Sequence, residues 1–374
     1  MSYLKPLICI SKQGLERRLS WPGPKKATNP DMRTTLVNGR SIAAAAFVLV
    51  ALAASPAAAE SGLVRIAEDN GVAALPIRVA IERKLIERHA KGAGMAEIKV
   101  ETRRYESGIA VSQAVLSGQA DFGVAGTTVM LALWDRTRGT EFEVRGAIAL
   151  IAMPLKFITA DARINGIRDY DGNADHRIAV PEARISLHAA VLRMGAEKVF
   201  GLGQAFRLDH LMFVVPPAPA HGAILGNRKT AHTQIATLPY SFEEIANGRG
   251  RAIANSFEIV GGAHTAAVFF SSRKWKEKNP KLFQAVVAAG IEAQVWLSQD
   301  SSRAARFYKG HVKTKRDIAE FEAMFAGAGE IDFAPTPRNT LPFARFLERT
   351  GAIKAKATNW TDYFWESAHG FDGG

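Results

Sequence analysis

Beyond residue 60, short apolar runs rich in β-branched residues alternate with longer amphipathic segments. Leu63–Ala67 is such a run and stops at the turn-forming Asp69-Asn70-Gly71. Ile77, Ala80, Ile81, Leu85 and Ile86 then recur at helical spacing, which predicts one helix from Leu75 to about His89 with Pro76 in its first turn. A strand over Ile98–Arg103, a loop at Ser107-Gly108, a helix over Ile109–Ser117, a strand over 121–125 and a helix over Val129–Asp135 follow, and Gly146–Ala152 adds a further strand. Alternation at this spacing predicts right-handed βαβ units and parallel sheets with helices on both faces.

A second set of the same kind begins after Ala160. It reads as a strand at Arg177–Val180, a helix at Ser186–Phe200 and a strand at Leu211–Val215 that stops at Pro216-Pro217. A helix or turn at Ala220–Leu225 and a strand at His232–Leu238 complete it. Thr265–Ser271 then reads as a strand, and one long helix spans Pro280–Ser298. The pattern predicts two α/β units, the second inserted within the first, with C-terminal helices returning to clad the first.

The segment ahead of these elements changes which part of the chain counts. Ile42–Ala54 is apolar throughout, Arg33 and Arg40 precede it, and Ser55-Pro56-Ala57-Ala58-Ala59 supplies a small-residue A-x-A ending. That is the make-up of a secretory signal peptide, too short to span a bilayer that needs about 20 residues. We expect residues 1–59 to be a leader, with 32–59 the signal and 1–31 an over-long start, and cleavage after Ala59. The single cysteine, Cys9, leaves with it, so a disulfide framework and a cysteine zinc site are excluded.

Composition is ordinary for a globular chain, at 47% hydrophobic and 22% charged residues. The net charge of +12 halves once the leader is gone. The remaining basic residues alternate with acids, as in Glu82-Arg83-Lys84 and Lys274-Trp275-Lys276-Glu277-Lys278, and form no stripe for nucleic acid. Phosphate-loop, dinucleotide-fingerprint, nucleophile-elbow and zinc-protease motifs are absent, since Gly201-Leu202-Gly203 and Gly248-Arg249-Gly250 lack the third glycine. His210, His221 and His232 recur every eleven residues with a carboxylate, Asp209, beside only the first and no helical pair, a pattern that does not predict a metal site.

Four segments, in order, bring a family into view: Ala74-Leu75-Pro76 leading into Glu82-Arg83-Lys84-Leu85; Leu116-Ser117-Gly118-Gln119-Ala120-Asp121-Phe122-Gly123; Ile259-Val260-Gly261-Gly262-Ala263-His264-Thr265; and Asn279-Pro280-Lys281-Leu282-Phe283-Gln284-Ala285. With them, residues 63–366 resemble the periplasmic solute-binding proteins of ABC importers, in the branch typed by nitrate, sulfonate, taurine and thiamine-precursor binders. The resemblance implies a two-lobed periplasmic-binding-protein type II fold, each lobe a mostly parallel sheet. Lobe 1 would comprise 60–152 and 259–374, lobe 2 would comprise 153–258, and crossover strands would fall near Ile151–Ile158 and Ile253–Ile259. It further implies a periplasmic monomer that closes on a small organic anion or polar compound and delivers it to a membrane permease with its ATPase, using no cofactor. The alternatives are a periplasmic sensor subunit, or an enzyme on the same fold such as the family's pyrimidine-precursor synthases and desulfinases, which use cysteines that the mature chain lacks.

Open sheets bind ligands at the carboxyl ends of their strands, beside helix starts. That rule selects Asn70 and Leu75, then Ser107 and Gly108, then Gly126, Thr127 and Thr128 in lobe 1. Ser186, Leu187 and His188, then Pro239 and Tyr240, follow in lobe 2, and Met153 and Pro154 resemble the family's cleft-lining crossover position. Unpaired N–H groups at helix starts suit an anion. Micromolar capture needs about −8 kcal/mol, and four or five charge-assisted hydrogen bonds at roughly 1.5–3 kcal/mol each supply it without an arginine. One departure from the family is Arg228-Lys229, in a loop where many members keep small residues.

Overall fold

A computed structural model of the chain describes residues 60–374 apart from 69–70, 227–230, 313 and 328–329. The leader, Asn70 and Arg228-Lys229 lie outside the described residues. The first half runs β1 (Leu63–Glu68), α1 (Leu75–Glu82), α2 (Leu85–Gly92), β2 (Lys99–Arg104), α3 (Gly108–Leu116), β3 (Phe122–Gly126), α4 (Thr127–Thr137) and β4 (Val144–Ala152). A middle section follows with β5 (Lys156–Thr159), β6 (Ile178–Val180), α5 (Leu187–Phe200), β7 (Met212–Val214), α6 (Pro217–Leu225), β8 (Thr233–Ala236), α7 (Tyr240–Ala246) and β9 (Arg251–Asn255). The chain continues through α8 (Ser256–Val260), β10 (Thr265–Ser272), α9 (Arg273–Lys278), α10 (Pro280–Ser298), α11 (Ser301–His311), α12 (Ile318–Ala326) and α13 (Thr340–Arg349).

Two five-stranded sheets result, ordered β2-β1-β3-β10-β4 and β7-β6-β8-β5-β9. In the first, β1 pairs parallel with β2 and β3, while β10 runs antiparallel to both β3 and β4. The second repeats the scheme, with β5 antiparallel to β8 and β9 and the remaining pairs parallel. One strand in each sheet therefore opposes the other four, and the parallel strands direct their carboxyl ends toward one edge. The inner parallel strands are buried on both faces, since Phe122–Ala125 and Ile178–Val180 carry no exposed position, whereas the edge strand β2 is largely exposed.

The helix expected over 75–89 is two helices. Lys84 adopts a left-handed conformation (φ 52°), and its N–H closes on Ile81 O at 2.9 Å. The break re-aims the second half so that Leu85, Ile86 and Ala90 enter the core. The second crossover also departs from a plain strand, because α8 intervenes between β9 and β10. Asn255 caps it, its Oδ1 accepting the Phe257 N–H at 2.9 Å, and Gly261 (φ 97°) ends it in the left-handed region that glycine tolerates.

The two crossovers are bonded to each other where they pass. Leu155 N–H donates to Ser256 Oγ at 2.8 Å, Ser256 N–H donates to Leu155 O at 2.9 Å, and the Ser256 hydroxyl lies 2.8 Å from His264 Nε2. All three residues are buried.

C-terminal helices cover the first sheet. Gln294 on α10 donates to Ala149 O and Leu150 O of β4, both at 2.9 Å. Around Phe122 an aromatic cluster fills this layer, with Phe269 stacked at 4.6 Å, Trp275 edge-on at 4.9 Å and Phe283 stacked at 5.8 Å. Helix α13 reaches further and packs on both α4 and α5. There Arg349 forms a two-pronged ion pair with Glu197 of α5, each bond 2.6 Å.

Candidate ligand cavity between the sheets

Two helix starts, one from each sheet's layer, face a common space. Ser107 caps α3 and its hydroxyl accepts the Ala110 N–H at 3.3 Å. Ser186 caps α5 and its hydroxyl accepts the Ala189 N–H at 3.1 Å. Each cap serves the third N–H of its helix, so the N–H groups of Gly108 and Ile109, and of Leu187 and His188, have no partner within their helices. All six residues line one cavity of about 630 Å³.

Gly126, Met153, Pro239 and Tyr240 share that lining. The structure thus brings together Ser107, Gly108, Gly126, Met153, Ser186, Leu187, His188, Pro239 and Tyr240, residues drawn from both layers and one crossover. Leu75, Thr127, Thr128 and Pro154 stand off the cavity wall. Leu75 is fully buried in the core as the first residue of α1, and Pro154 is buried beside Met153. The threonine hydroxyls are already committed. Thr127 Oγ1 donates to Thr265 O at 2.6 Å, and Thr128 Oγ1 donates to Ile185 O at 2.7 Å. Thr128 therefore joins the two layers rather than waiting for a ligand.

The wall also carries charge that the sequence reading left out. Arg78, Arg104 and Arg316 line the cavity, opposite in sign to Glu106, Glu182 and Glu243. Arg104 is the last residue of β2, one position past the expected strand, so the carboxyl-end rule would have found it with a better boundary. The same rule covers Pro216, Pro217 and Thr237. Tyr308, His311, Arg316 and Phe321 come from α11, α12 and the stretch between them. Nothing in a helical period says which distant element such a face will meet.

Several of these charges are spent locally. The Glu182 carboxylate accepts the N–H groups of Arg184, Ile185 and Ser186 at 2.6, 2.7 and 2.9 Å, which fixes the approach to α5. Glu243 is shared by His221 at 3.0 Å and Arg316 at 3.2 Å. His221 also lies 3.1 Å from Glu244, which is fully buried. The eleven-residue histidine recurrence gathers no common site, since His232 instead accepts the Arg177 N–H. Among the described residues no group of three His, Cys, Asp or Glu could hold a metal ion.

Burial sets the protonation of three histidines, and neighbouring carboxylates set that of a fourth. His188 faces the cavity with no side-chain bond, and desolvation brings it down to about 4; His176 and His264 fall to about 4 for the same leading reason. His221 goes the other way, because the carboxylates of Glu243 and Glu244 overcome its burial and raise it to about 9. The unfolded chain, with histidines near 6.5, binds more protons than the folded one between pH 6.5 and 4, so acid weakens the fold in that window. The His221 contribution is complete below pH 6.5 and lost as pH rises through 9. Calorimetric Tm measured from pH 4 to 9.5 should peak near pH 6.5 to 7 and fall on both sides. A Tm that stays level from pH 6.5 down to 4 would contradict the neutral buried histidines.

Residues 57–307 match the model of the NMT1-like family, about two thirds of the chain. The chain belongs to the NMT1-like family. This NMT1-like chain also superposes on solved structures of low sequence identity. The alkanesulfonate-binding protein SsuA from Xanthomonas axonopodis pv. citri, bound to MOPS, aligns with a TM-score of 0.63 at 18% identity, over 82% of this chain and 99% of that one. The periplasmic nitrate-binding protein NrtA from Synechocystis PCC 6803 aligns with a TM-score of 0.65 at 15% identity, over 84% and 90%. The periplasmic aliphatic sulphonate binding protein SsuA from Escherichia coli gives 0.62 at 15%, over 82% and 93%. No curated protein sequence matches the NMT1-like chain significantly. What these structures share with it is the periplasmic-binding-protein fold.

Proposed function

We propose that this protein is the exported binding component of an ABC importer, and that it captures a small organic anion between its two lobes. The observation that carries this reading is the pair of serine-capped helix starts, Ser107–Ile109 and Ser186–His188, facing one cavity from opposite layers. Each start presents free N–H groups and about half a positive charge. The cavity's size favours an organic ligand, since roughly 300–1,000 Å³ is the range of sites for molecules with a substantial carbon body. A bare inorganic oxyanion would leave most of 630 Å³ to water. Met153, Leu187 and Tyr240 offer that carbon body an apolar wall.

Ligand held by both layers favours the closed arrangement, because only there are both helix starts within reach. The closed surface would then be read by a membrane permease with its ATPase. Sulfonate and nitrate binding by structures of the same fold supports an anionic ligand. The A-x-A ending at 57–59 supports export to the periplasm.

A thermal-shift screen of purified protein against sulfonates, carboxylates, nitrate, bicarbonate and pyrimidine precursors tests the reading. A true ligand at a hundredfold excess over its Kd should add about 2.7 kcal/mol of stability and be recovered unaltered. Chemical conversion of the bound compound, or a panel with no organic anion among its hits, would defeat the proposal.

A further inference from the structure

One guanidinium on the cavity wall has its donors only half committed. Arg104 ends β2 directly opposite Glu68, which ends β1 in the same register. The Glu68 carboxylate is buried, at 2% exposure, and would be costly there without cationic partners. It takes the Arg78 Nε–H at 3.2 Å to each oxygen and the Arg104 Nε–H at 3.1 Å. Arg78 is itself buried, whereas the Arg104 side chain is half-exposed and lines the cavity beside Ser107–Ile109. The Nε bond to Glu68 is its only ion pair or hydrogen bond to a described residue.

A guanidinium gripped at Nε is fixed in orientation, and its two terminal amino groups remain as a planar fork. That fork matches two oxygens of a carboxylate or sulfonate, a geometry that lysine does not reproduce. Arg316, the other half-buried arginine on the wall, is divided between Glu243 and Glu320. The wall is mixed: Arg104, Glu106 and the α3 start follow one another at the end of β2, while Met153, Tyr240, Tyr308 and Phe321 supply apolar surface.

We propose that Arg104 determines specificity by clamping the oxyanion headgroup of the ligand, with Glu68 as its mount and the apolar residues receiving the carbon body. This inference rests on the capture reading given above. It selects a ligand with one oxyanion and an alkyl or aromatic body, and sulfonate and carboxylate headgroups share the required chemistry.

Calorimetric titration of wild type, R104Q and R104K with hexanesulfonate, hexanoate and hexanol tests it, with the unliganded Tm of each protein measured alongside. Wild type should bind at least one anion more tightly than the alcohol, and the better anion identifies the headgroup. R104Q should lose about tenfold or more in affinity for that anion, as expected for a charge-assisted bond. R104K should fall between the two, alcohol binding should stay at the wild-type level, and the unliganded Tm should fall in R104Q because the buried Glu68 loses one of its cationic partners. Equal anion affinity in R104Q and wild type overturns the Arg104 assignment and leaves capture standing. Wild-type binding of the alcohol as tightly as both anions overturns it as well. A wild type that binds none of the three overturns this ligand class, and the screen described above then decides the capture reading separately.

Discussion

Phe122→Ala should destabilise the protein by about 3–5 kcal/mol, the usual cost of truncating a buried phenylalanine. Phe122 is fully buried at the start of β3, and its ring touches Phe269, Trp275 and Phe283, which arrive from β10, α9 and α10. A void there is walled by rigid rings on three separate elements, so neighbouring atoms cannot collapse into it. The lost aromatic contacts add to the transfer term. Against a total stability of about 5–15 kcal/mol, this one change removes a large share. Phe122→Leu conserves most of the volume and should cost less than about 1.5 kcal/mol. Denaturant titrations of both variants check the pair, and a loss below 1 kcal/mol for the alanine variant would show that the cluster is loosely packed.

Gly126→Leu should abolish most ligand binding while sparing the fold. Gly126 ends β3 with φ −59° and ψ 149°, a conformation open to any residue, so the substitution carries no backbone strain. A Cβ built there meets Leu187 Cβ of the other lobe at 3.7 Å and Ala266 O at 3.7 Å, which is ordinary contact. Alanine is therefore tolerated. Leucine adds three more carbons where the lobes approach, next to the Thr128–Ile185 bond. They must either fill the cavity or hold the lobes apart. A variant displaced to 99% open binds with affinity lowered about a hundredfold. Titration with the best ligand from the screen, together with small-angle scattering, separates the outcomes: reduced affinity and a larger radius of gyration are expected. Wild-type affinity in Gly126→Leu would mean that the lobes need not meet at this point.

Much of the architecture was legible because local pattern and global fold agree. Asn279-Pro280 opens α10 and the apolar period carries it to Ser298, so the helix is found at its predicted ends. The starts of α3 and α5 fall within one residue of their expected places, and Ser107 and Ser186, chosen as ligand candidates there, prove to be the capping residues. Legibility failed where a distant partner decides the local outcome. Lys84 turns left-handed in the interior of a helical pattern, and the helix that follows it packs against α10. Thr127 and Thr128 occupy the predicted position after β3, but carbonyls from β10 and from the segment before α5 claim their hydroxyls. The wall contributed by Tyr308 and Phe321 lies some two hundred positions beyond the α3 start it accompanies, and no spacing rule links them.

The mutual bonds of Leu155 and Ser256 have a mechanical meaning. Two tethers joined only at their ends could let one lobe slide or twist past the other. Here they are riveted midway, and the rivet is itself braced by His264. Sliding of one sheet's layer past the other would break these buried hydrogen bonds, whereas rotation about the pin would not. If the protein captures its ligand as proposed above, that pin would return the same amides to the same places at each closure.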